Sequence, residues 1–312
     1  MKISVESQYL VDDFGIESAY KMIHDSGFEA VDWNIDSDLD HKHIIPGIEL
    51  EGLTVFERPM EEISEHYREE MAVMKKYGLV PTQAHAPFPP YLNGRPEVLD
   101  YTIKIYKQMI LFCHEAGCPR LIIHGVSKSE KNPDLTKEDC DRMNDRLYTS
   151  LIPELRKAGD VTVCLENLFT DLTVLGRGFW AGHCCDPHEA AAYIDFLNEK
   201  AGGKYFGLCL DTGHLNLMRR HFSDYIPVLG ERIVCFHIHD NMQTGDSHLM
   251  PYSGNIHWEE FIEELRKINY RGDLSFETFA HTERKRLPAE LTPSFMRTNA
   301  DIAKYFREEI LK

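Results

Sequence analysis

The sequence predicts a single α/β barrel in which eight parallel strands alternate with helices. Short apolar runs of β-branched and aromatic residues alternate eight times with longer amphipathic stretches along the 312 residues, a pattern typical of repeated βα units. Eight units close a barrel, and barrels of this length often form one domain. Length alone would also allow two domains. Because no linker rich in glycine, proline or serine interrupts the chain, one domain over residues 1–312 is expected.

The strands and helices follow from apolar periodicity and from the glycines that end several helical stretches. The predicted strands are residues 2–5, 30–34, 79–85, 120–124, 161–166, 205–211, 233–237 and 273–277. The predicted helices are residues 60–77, 96–116, 136–158, 187–200, 258–268 and 293–310. The segment after the sixth strand, residues 214–230, is weakly marked, and only short turns are expected there.

Two irregular segments, residues 36–58 and 168–187, exceed the usual loop length and are predicted to be lids or substrate loops. The second contains Arg177, Trp180 and His183. Such side chains could stack on a polyol and hydrogen-bond to it, and Trp180 is the substrate contact that we predict there. They could equally cover the barrel or a neighbouring subunit, and this alternative stays open.

Composition restricts the class of partner. The apolar fraction of 43% and the charged fraction of 27% are ordinary for a soluble globular protein. A net charge of −17 disfavours nucleic acid, whose binding depends on lysine and arginine. The opening MKISVES does not resemble a signal peptide, and no apolar run approaches the roughly 20 residues that span a bilayer. A cytoplasmic protein without a membrane or nucleic-acid partner is therefore expected.

Cysteine usage agrees with a reducing compartment. Cys164, Cys209 and Cys235 fall in predicted buried strands, where a reduced thiol behaves as a small hydrophobic group. The adjacent Cys184 and Cys185 could form a soft metal site with the neighbouring histidine, but loop packing is favoured.

The densest group of polar residues lies in the stretch IVCFHIHDNMQTGDSHL. An apolar run ends in three polar residues, and a turn then adds two more: His237, His239, Asp240, Asp246 and His248. Buried imidazoles and carboxylates cost several kcal/mol unless they are paired or bound to an ion, so this density indicates a metal site. A solvated polar loop is the alternative, and the other strand ends make it less favoured.

Six consecutive predicted strands end in a side chain that could bind a metal. These strand ends are His85, His124, Glu166, Asp211, His237 and Glu277. The carboxyl ends of barrel strands converge on one face, where active sites are built. Capping or buried hydrogen bonds would explain one or two such residues but not six.

The predicted metal site consists of Glu166, Asp211, His237 and Glu277. Three carboxylates and one imidazole suit one divalent ion, Mn²⁺, Co²⁺, Zn²⁺ or Mg²⁺, and the spacing does not choose among them. Such an ion could hold a sugar carbonyl and an adjacent hydroxyl and make the C–H bond between them acidic. Two glutamates on opposite sides could then remove and return the proton.

The chain resembles the xylose isomerase-like TIM barrel superfamily, in particular its sugar phosphate isomerase/epimerase proteins. The segments CLEN, LDTGH, HIHDN, DSHL, GNIHW and SFET occur in the order that this family shows. The resemblance implies the four metal ligands given above, with Glu166 and Glu277 as the acid/base pair and His214 as a substrate contact. Ketose 3-epimerases have an arginine where this chain has Gln243, and the residues before GNIHW also differ, so the resemblance implies a reshaped substrate pocket.

A second resemblance belongs to another class of function. Endonuclease IV-like nucleases use the same barrel with three zinc ions, and all nine ligand positions match in type: His85, His124, Glu166, Asp211, His214, His237, Asp246, His248 and Glu277. The acidic chain and its loops, poor in lysine and arginine, favour a carbohydrate substrate instead.

With a sugar substrate, His85, His124, Asp246 and His248 are expected to contact the substrate or support the ligands of a single ion. A related dehydratase or lyase, a non-catalytic sugar-binding protein and a homo-oligomeric assembly remain open.

Overall fold

The computed structural model describes residues 1–36, 39, 42–129, 132–171, 178–279 and 287–312. The strands are β1 Ile3–Glu6, β2 Ala30–Asn34, β3 Val80–His85, β4 Arg120–Ile122, β5 Thr162–Glu166, β6 Phe169–Asp171, β7 Phe179–Ala181, β8 Phe206–Asp211, β9 Ile233–His237 and β10 Leu274–Phe276. The helices are α1 Gln8–Phe14, α2 Ile16–Ser26, α3 Met60–His66, α4 Arg68–Lys76, α5 Glu97–Ala116, α6 Lys137–Thr149, α7 Ile152–Ala158, α8 Pro187–Ala201, α9 Thr212–Leu217, α10 Phe222–Leu229, α11 Trp258–Lys267 and α12 Thr292–Leu311.

The chain forms two compact units. The first unit comprises Met1–Trp33, Glu69–Gln83 and Cys209–Lys312, and the second comprises Asn34–Arg68 and Ala84–Leu208. The boundaries pass through β2, β3 and β8, so each of these strands belongs partly to each unit. The expectation of a single domain over residues 1–312 stays a prediction.

Parallel strands form the centre of the first unit. β1 pairs with β10 and with β2 in register, so that Val5 lies opposite Phe276 and Glu6 lies opposite Asp32. β8 is next to β9, and a parallel bridge from Ile238 to Phe276 links the end of β9 to β10. Because these strands are parallel, their carboxyl ends lie at one edge of the sheet.

The helices of the first unit cover its sheet through an aromatic cluster. The ring of Trp258 on α11 lies 5.2 Å from the ring of Phe306 on α12, and Phe306 lies 6.0 Å from Phe276 of β10. All three side chains are buried. Burying an aromatic side chain of this size stabilises a fold by roughly 1.5–3 kcal/mol, so these contacts hold the strand ends in place.

The second unit has its own parallel strands. His85 at the end of β3 lies opposite Ile122 of β4, and Ile122 lies opposite Cys164 of β5. α5 packs against α7, and the ring of its Phe112 lies 4.9 Å from that of Tyr67. A separate antiparallel pair, β6 and β7, lies in the segment predicted to be a loop.

The eight predicted strands are confirmed to within two residues at each end, but some helices differ from the prediction. Residues 60–77 and 136–158 each form two helices, and Pro153 in the first turn of α7 suits a helix start rather than a helix interior. The weakly marked residues 214–230 form α9 and α10 rather than turns. Pro227 inside α10 and Gly230 after it explain the weak helical signal.

Candidate active site

Three neighbouring strands of the first unit end in side chains that could bind a metal. Asp211 is the last residue of β8, His237 is the last residue of β9, and Glu277 directly follows β10. One ligand atom from each of these three lies within 4.8 Å of the other two. Asp211 and His237 are buried, whereas Glu277 keeps 16% of its side chain exposed. The sheet therefore places two carboxylates and an imidazole at one accessible point.

A second carboxylate fixes the orientation of His237. Nε2 of His237 lies 3.3 Å from Oδ2 of Asp32, and Nδ1 of His237 lies 3.7 Å from Oε2 of Glu277. The same Asp32 oxygen accepts hydrogen bonds from Nε2 of Gln83 at 2.6 Å and from the hydroxyl of Ser275 at 3.0 Å. A buried carboxylate in this position favours the tautomer with hydrogen on Nε2. The Nδ1 atom then carries the lone pair and lies on the side of Glu277.

Hydrogen bonds from His214 and His239 orient Asp211. Its Oδ1 atom caps α9 by accepting the backbone N–H of His214 at 2.6 Å, and its Oδ2 atom accepts Nε2–H of His239 at 2.9 Å. The fully buried His239 ring reaches this position because residue 213 is glycine. A Cβ atom on Gly213 would lie 1.9 Å from Cε1 of His239.

His214, Asp246 and His248 form a second group in the first unit. Oδ2 of Asp246 lies 3.0 Å from Nε2 of His248 and 3.4 Å from Nε2 of His214. Burial works to raise the pKa of the Asp246 carboxyl, but the two imidazoles outweigh it and hold this pKa well below its usual range. Burial works to lower the pKa of His248, but Asp246 and Glu277 raise it to about 9.

Two polar atoms of these groups are buried without a hydrogen-bond partner in the described ranges. They are Nδ1 of His239 and Oδ1 of Asp246. Most buried polar atoms in folded proteins are paired, so unpaired ones are expected where an ion, water or ligand binds. The donor set therefore fits a divalent cation, because it combines carboxylate oxygens with imidazole nitrogens.

A third group of ligand type lies in the second unit. His124 Nε2 is 2.9 Å from Oε2 of Glu166 and 3.2 Å from Nε2 of His85. Glu166 is buried, and the ring of Phe88 lies 4.5 Å from that of His124. The ends of β3, β4 and β5 therefore bring together three residues that the sequence predicts for the site.

Comparison with known proteins decides the family. The model of the family described as xylose isomerase-like TIM barrel matches residues 21–299. The chain belongs to this family. The predicted fold class, an α/β barrel of the (β/α)8 type, is thereby confirmed, as is the family resemblance read from the sequence.

Sugar epimerases are among the members of the family that resemble this chain. D-psicose 3-epimerase of Enterocloster bolteae is 24% identical over 262 residues, which cover 79% of each chain. The crystal structure of D-psicose 3-epimerase with D-tagatose from Clostridium cellulolyticum matches with a TM-score of 0.70, 14% identity and complete coverage of both chains. A crystal structure described as IOLI protein with a zinc atom matches with a TM-score of 0.66 and 15% identity, covering 100% of this chain and 98% of the other.

The structure places the other predicted residues as follows. Trp180 lies on β7 with 52% of its surface exposed, and Arg177 is outside the described residues. The membership of Glu166 in one metal site with Asp211, His237 and Glu277 stays a prediction. Gln243, which replaces an arginine of the ketose 3-epimerases, donates a hydrogen bond from Nε2 to Oδ1 of Asn216 at 3.0 Å.

Asp32 and Glu6 were not assigned to the site from the sequence, and His239 was counted in its polar group without a role of its own. Asp32 orients His237, His239 orients Asp211, and Glu6 ends β1 beside them. Burial raises the pKa of Glu6 well above its usual value, and the charges of Asp32 and Glu277 add to the effect. The sequence signal for Glu6 and Asp32 was an acidic residue inside or directly after an apolar strand, in the segments ISVE and AVDWN.

Among the residues that the structure describes, none of the helices has the length and apolar character needed to cross a membrane.

Proposed function

We propose that this member of the xylose isomerase-like family is a divalent-metal-dependent sugar isomerase or epimerase that moves a proton at a carbon next to a carbonyl. The observation that supports this most directly is the grouping of Asp211, His237 and Glu277 within 4.8 Å at adjacent strand ends. The names of its epimerase relatives agree with a carbohydrate substrate. The compartment expected from the sequence, the cytoplasm, is part of the proposal.

The residues Asp211, His237 and Glu277 would hold one ion, with the predicted Glu166 as the fourth ligand. A divalent ion draws electron density from a carbonyl oxygen and makes the adjacent C–H bond more acidic. Mn²⁺, Co²⁺, Zn²⁺ and Mg²⁺ all accept such a mixed set of oxygen and nitrogen ligands.

The proton transfer is assigned to carboxylates of the chain. Glu277 is only partly buried, so its second oxygen can take the proton from the carbon and afterwards release it to solvent. Glu166, as the predicted partner, would deliver a proton to the opposite face and thereby invert the carbon. His214, Asp246 and His248 present polar atoms near the same strand ends and would bind sugar hydroxyls.

Deuterium incorporation tests this reaction directly. The protein, loaded with each ion in turn, is incubated in D₂O with D-psicose, D-tagatose and L-ribulose, and carbon-bound deuterium is measured by NMR. We expect deuterium at the carbon next to the carbonyl, lost after metal removal and restored by readdition. If the metal-loaded protein exchanged no carbon-bound hydrogen in a broad panel of ketoses and keto-sugars, the proposal would fail.

A specific observation favours a second candidate function, a hydrolase with three metal ions. Three separate groups of ligand type are assembled: His85 with His124 and Glu166, Asp211 with His237 and Glu277, and His214 with Asp246 and His248. Elemental analysis separates the candidates. A ratio near one ion per chain agrees with the sugar enzyme, whereas a ratio near three together with nicking of supercoiled DNA would favour the nuclease.

A further inference from the structure

A cavity of about 570 Å³ lies in the first unit beside the proposed active site. We call it the arginine pocket, because Arg219 and Arg220 line it together with Asn216, Gln243, Asn255 and His257. Asn216 is two residues after His214 on α9, and Gln243 is three residues before Asp246. The pocket therefore shares its supporting segments with the groups that would bind the sugar.

The backbone N–H groups of Arg219 and Arg220 donate to Asn216 and Leu215, but neither guanidinium group makes a hydrogen bond or an ion pair with the residues that the structure describes. Other arginines do pair with carboxylates, as Arg307 does with Glu29 at 2.9 Å and Arg142 with Asp139 at 2.7 Å. In a chain with a net charge of −17, two guanidinium groups that line one pocket and are not paired with a carboxylate attract anions.

An amide network fixes the floor of the arginine pocket. Nδ2 of Asn216 lies 2.9 Å from Oδ1 of Asn241 and 2.8 Å from Oδ1 of Asn255, while Nε2 of Gln243 donates to Oδ1 of Asn216. Asn241 in turn donates to the backbone oxygen of Gly213 at 2.9 Å. This network connects the pocket to α9, so the pocket wall and His214 are held by the same helix.

One carboxylate also lines the arginine pocket, but it is already engaged. Oε1 of Glu260 accepts the backbone N–H of Ser223 at 3.0 Å at the start of α10, and its Oε2 lies 3.8 Å from Nδ1 of His221. Two arginines against one glutamate leave the lining with an excess of positive charge. The glutamate thus occupies the helix start and leaves the guanidinium groups available.

We propose that the arginine pocket binds a phosphate group, held by Arg219 and Arg220. Each guanidinium presents five N–H donors, and phosphate offers more acceptor oxygens than a carboxylate, so two arginines match it better. The proposal rests on the proposed function insofar as the phosphate belongs to a phosphorylated sugar whose carbonyl end reacts near Asp211 and Glu277. Free phosphate has the same chemistry and is the other source.

Inorganic phosphate is the first probe, titrated by calorimetry at low ionic strength. Wild type is compared with Arg219→Ala/Arg220→Ala, with Arg297→Ala as the control for an exposed arginine on α12, and with Asp211→Asn. We expect the double variant to bind phosphate at least about tenfold more weakly, since hydrogen bonds between charged groups are strong. The control and Asp211→Asn should bind as wild type does. Wild-type protein without phosphate affinity, or binding lost in Asp211→Asn but not in the double variant, would overturn the pocket.

The source of the phosphate is separated by competition and by turnover. Fructose 6-phosphate should displace inorganic phosphate while fructose does not, and the double variant should raise KM for a phosphorylated substrate without changing kcat or deuterium exchange in an unphosphorylated ketose. If fructose 6-phosphate and other ketose phosphates fail to compete, the substrate part of the proposal is wrong and the ligand is free phosphate. Phosphate binding that depends on the arginines, without any deuterium exchange, would contradict the proposed function but support the phosphate site in the arginine pocket.

Discussion

Two buried histidine rings, His248 and His183, have pKa values that are shifted in opposite directions. His248 lies 3.0 Å from Asp246 and 3.4 Å from Glu277, and although burial lowers its pKa, these carboxylates raise it to about 9. His183, whose Nδ1 accepts a hydrogen bond from the Asn144 amide at 3.2 Å, has a pKa lowered to about 4 by burial. Burial outweighs the charge of Asp141 in lowering the pKa of His183, whereas the carboxylates around His248 outweigh burial. The raised pKa of His248 therefore reflects the carboxylates of the proposed active site.

In the region around His248 and in the region around His183, a glycine allows a histidine ring to pack directly against the backbone. Gly213 lets the ring of His239 reach Asp211, and Gly125 lets the ring of His183 pack beside the end of β4, where a Cβ would lie 2.3 Å from its Cδ2 atom. In the first case the histidine donates to a carboxylate at the proposed metal site. In the second case its Nε2 atom is buried without a hydrogen-bond partner in the described ranges. The same close approach therefore brings one histidine to a carboxylate and the other to an amide.

The largest expected effect comes from removing the base in the region rich in carboxylates. Glu277→Gln keeps the shape of the side chain but removes the proton acceptor and weakens the ion, so turnover should fall by at least about 10². Glu166→Gln should behave alike. Gln243→Ala, which removes only an amide, should lose less with an unphosphorylated ketose. Near-normal turnover of Glu277→Gln with metal still bound, measured by deuterium exchange and elemental analysis, would refute the proton transfer.

The next effect tests the paired glycines. Gly213→Ala should push His239 away from Asp211 and weaken metal binding by about 10- to 100-fold, the usual cost of losing a partner that orients a ligand. Gly125→Ala crowds His183 instead and should lower the midpoint of thermal unfolding while metal affinity stays near the wild-type value. Metal titration and thermal unfolding of both variants provide the measurement. Equal losses of metal affinity in the two variants would contradict the distinction between the regions.

The pH dependence of stability tests His183 next. Its folded pKa of about 4 lies below the unperturbed value near 6.5, so the unfolded chain binds a proton first as the pH falls. The free energy of unfolding should therefore drop between about pH 6.5 and pH 4, by about 1–3 kcal/mol from this group. His183→Asn should remove that part of the slope, whereas the exposed His188→Asn should keep it. Urea unfolding across this range decides, and equal slopes in both variants would show that His183 does not contribute.

The sequence predicts well whatever depends on local pattern. The strand bounds and the residues that end the strands, such as Asp211 and His237, follow from apolar runs and from the residue type at their ends. It does not predict pairings that depend on strand register. Asp32 on β2 meets His237 on β9 although β1 and β10 lie between these two strands, and His239 reaches Asp211 only because Gly213 leaves room. Neither contact has a signature within a single strand.

The smallest expected effect comes from giving His183 a carboxylate neighbour of the kind that surrounds His248. Asn144→Asp replaces an amide 3.2 Å from Nδ1 of His183 with an isosteric carboxylate, so the pKa of His183 should rise by at least about one unit, which corresponds to about 1.4 kcal/mol. The amide also donates to the backbone oxygen of Val126 at 3.0 Å, so some stability should be lost at neutral pH. Asn144→Ser removes the amide without adding charge and should leave the pKa of His183 low. The titration of His183 is followed by NMR of its ring protons. A His183 pKa that stays near 4 in Asn144→Asp would mean that carboxylates alone do not explain why the two histidines differ.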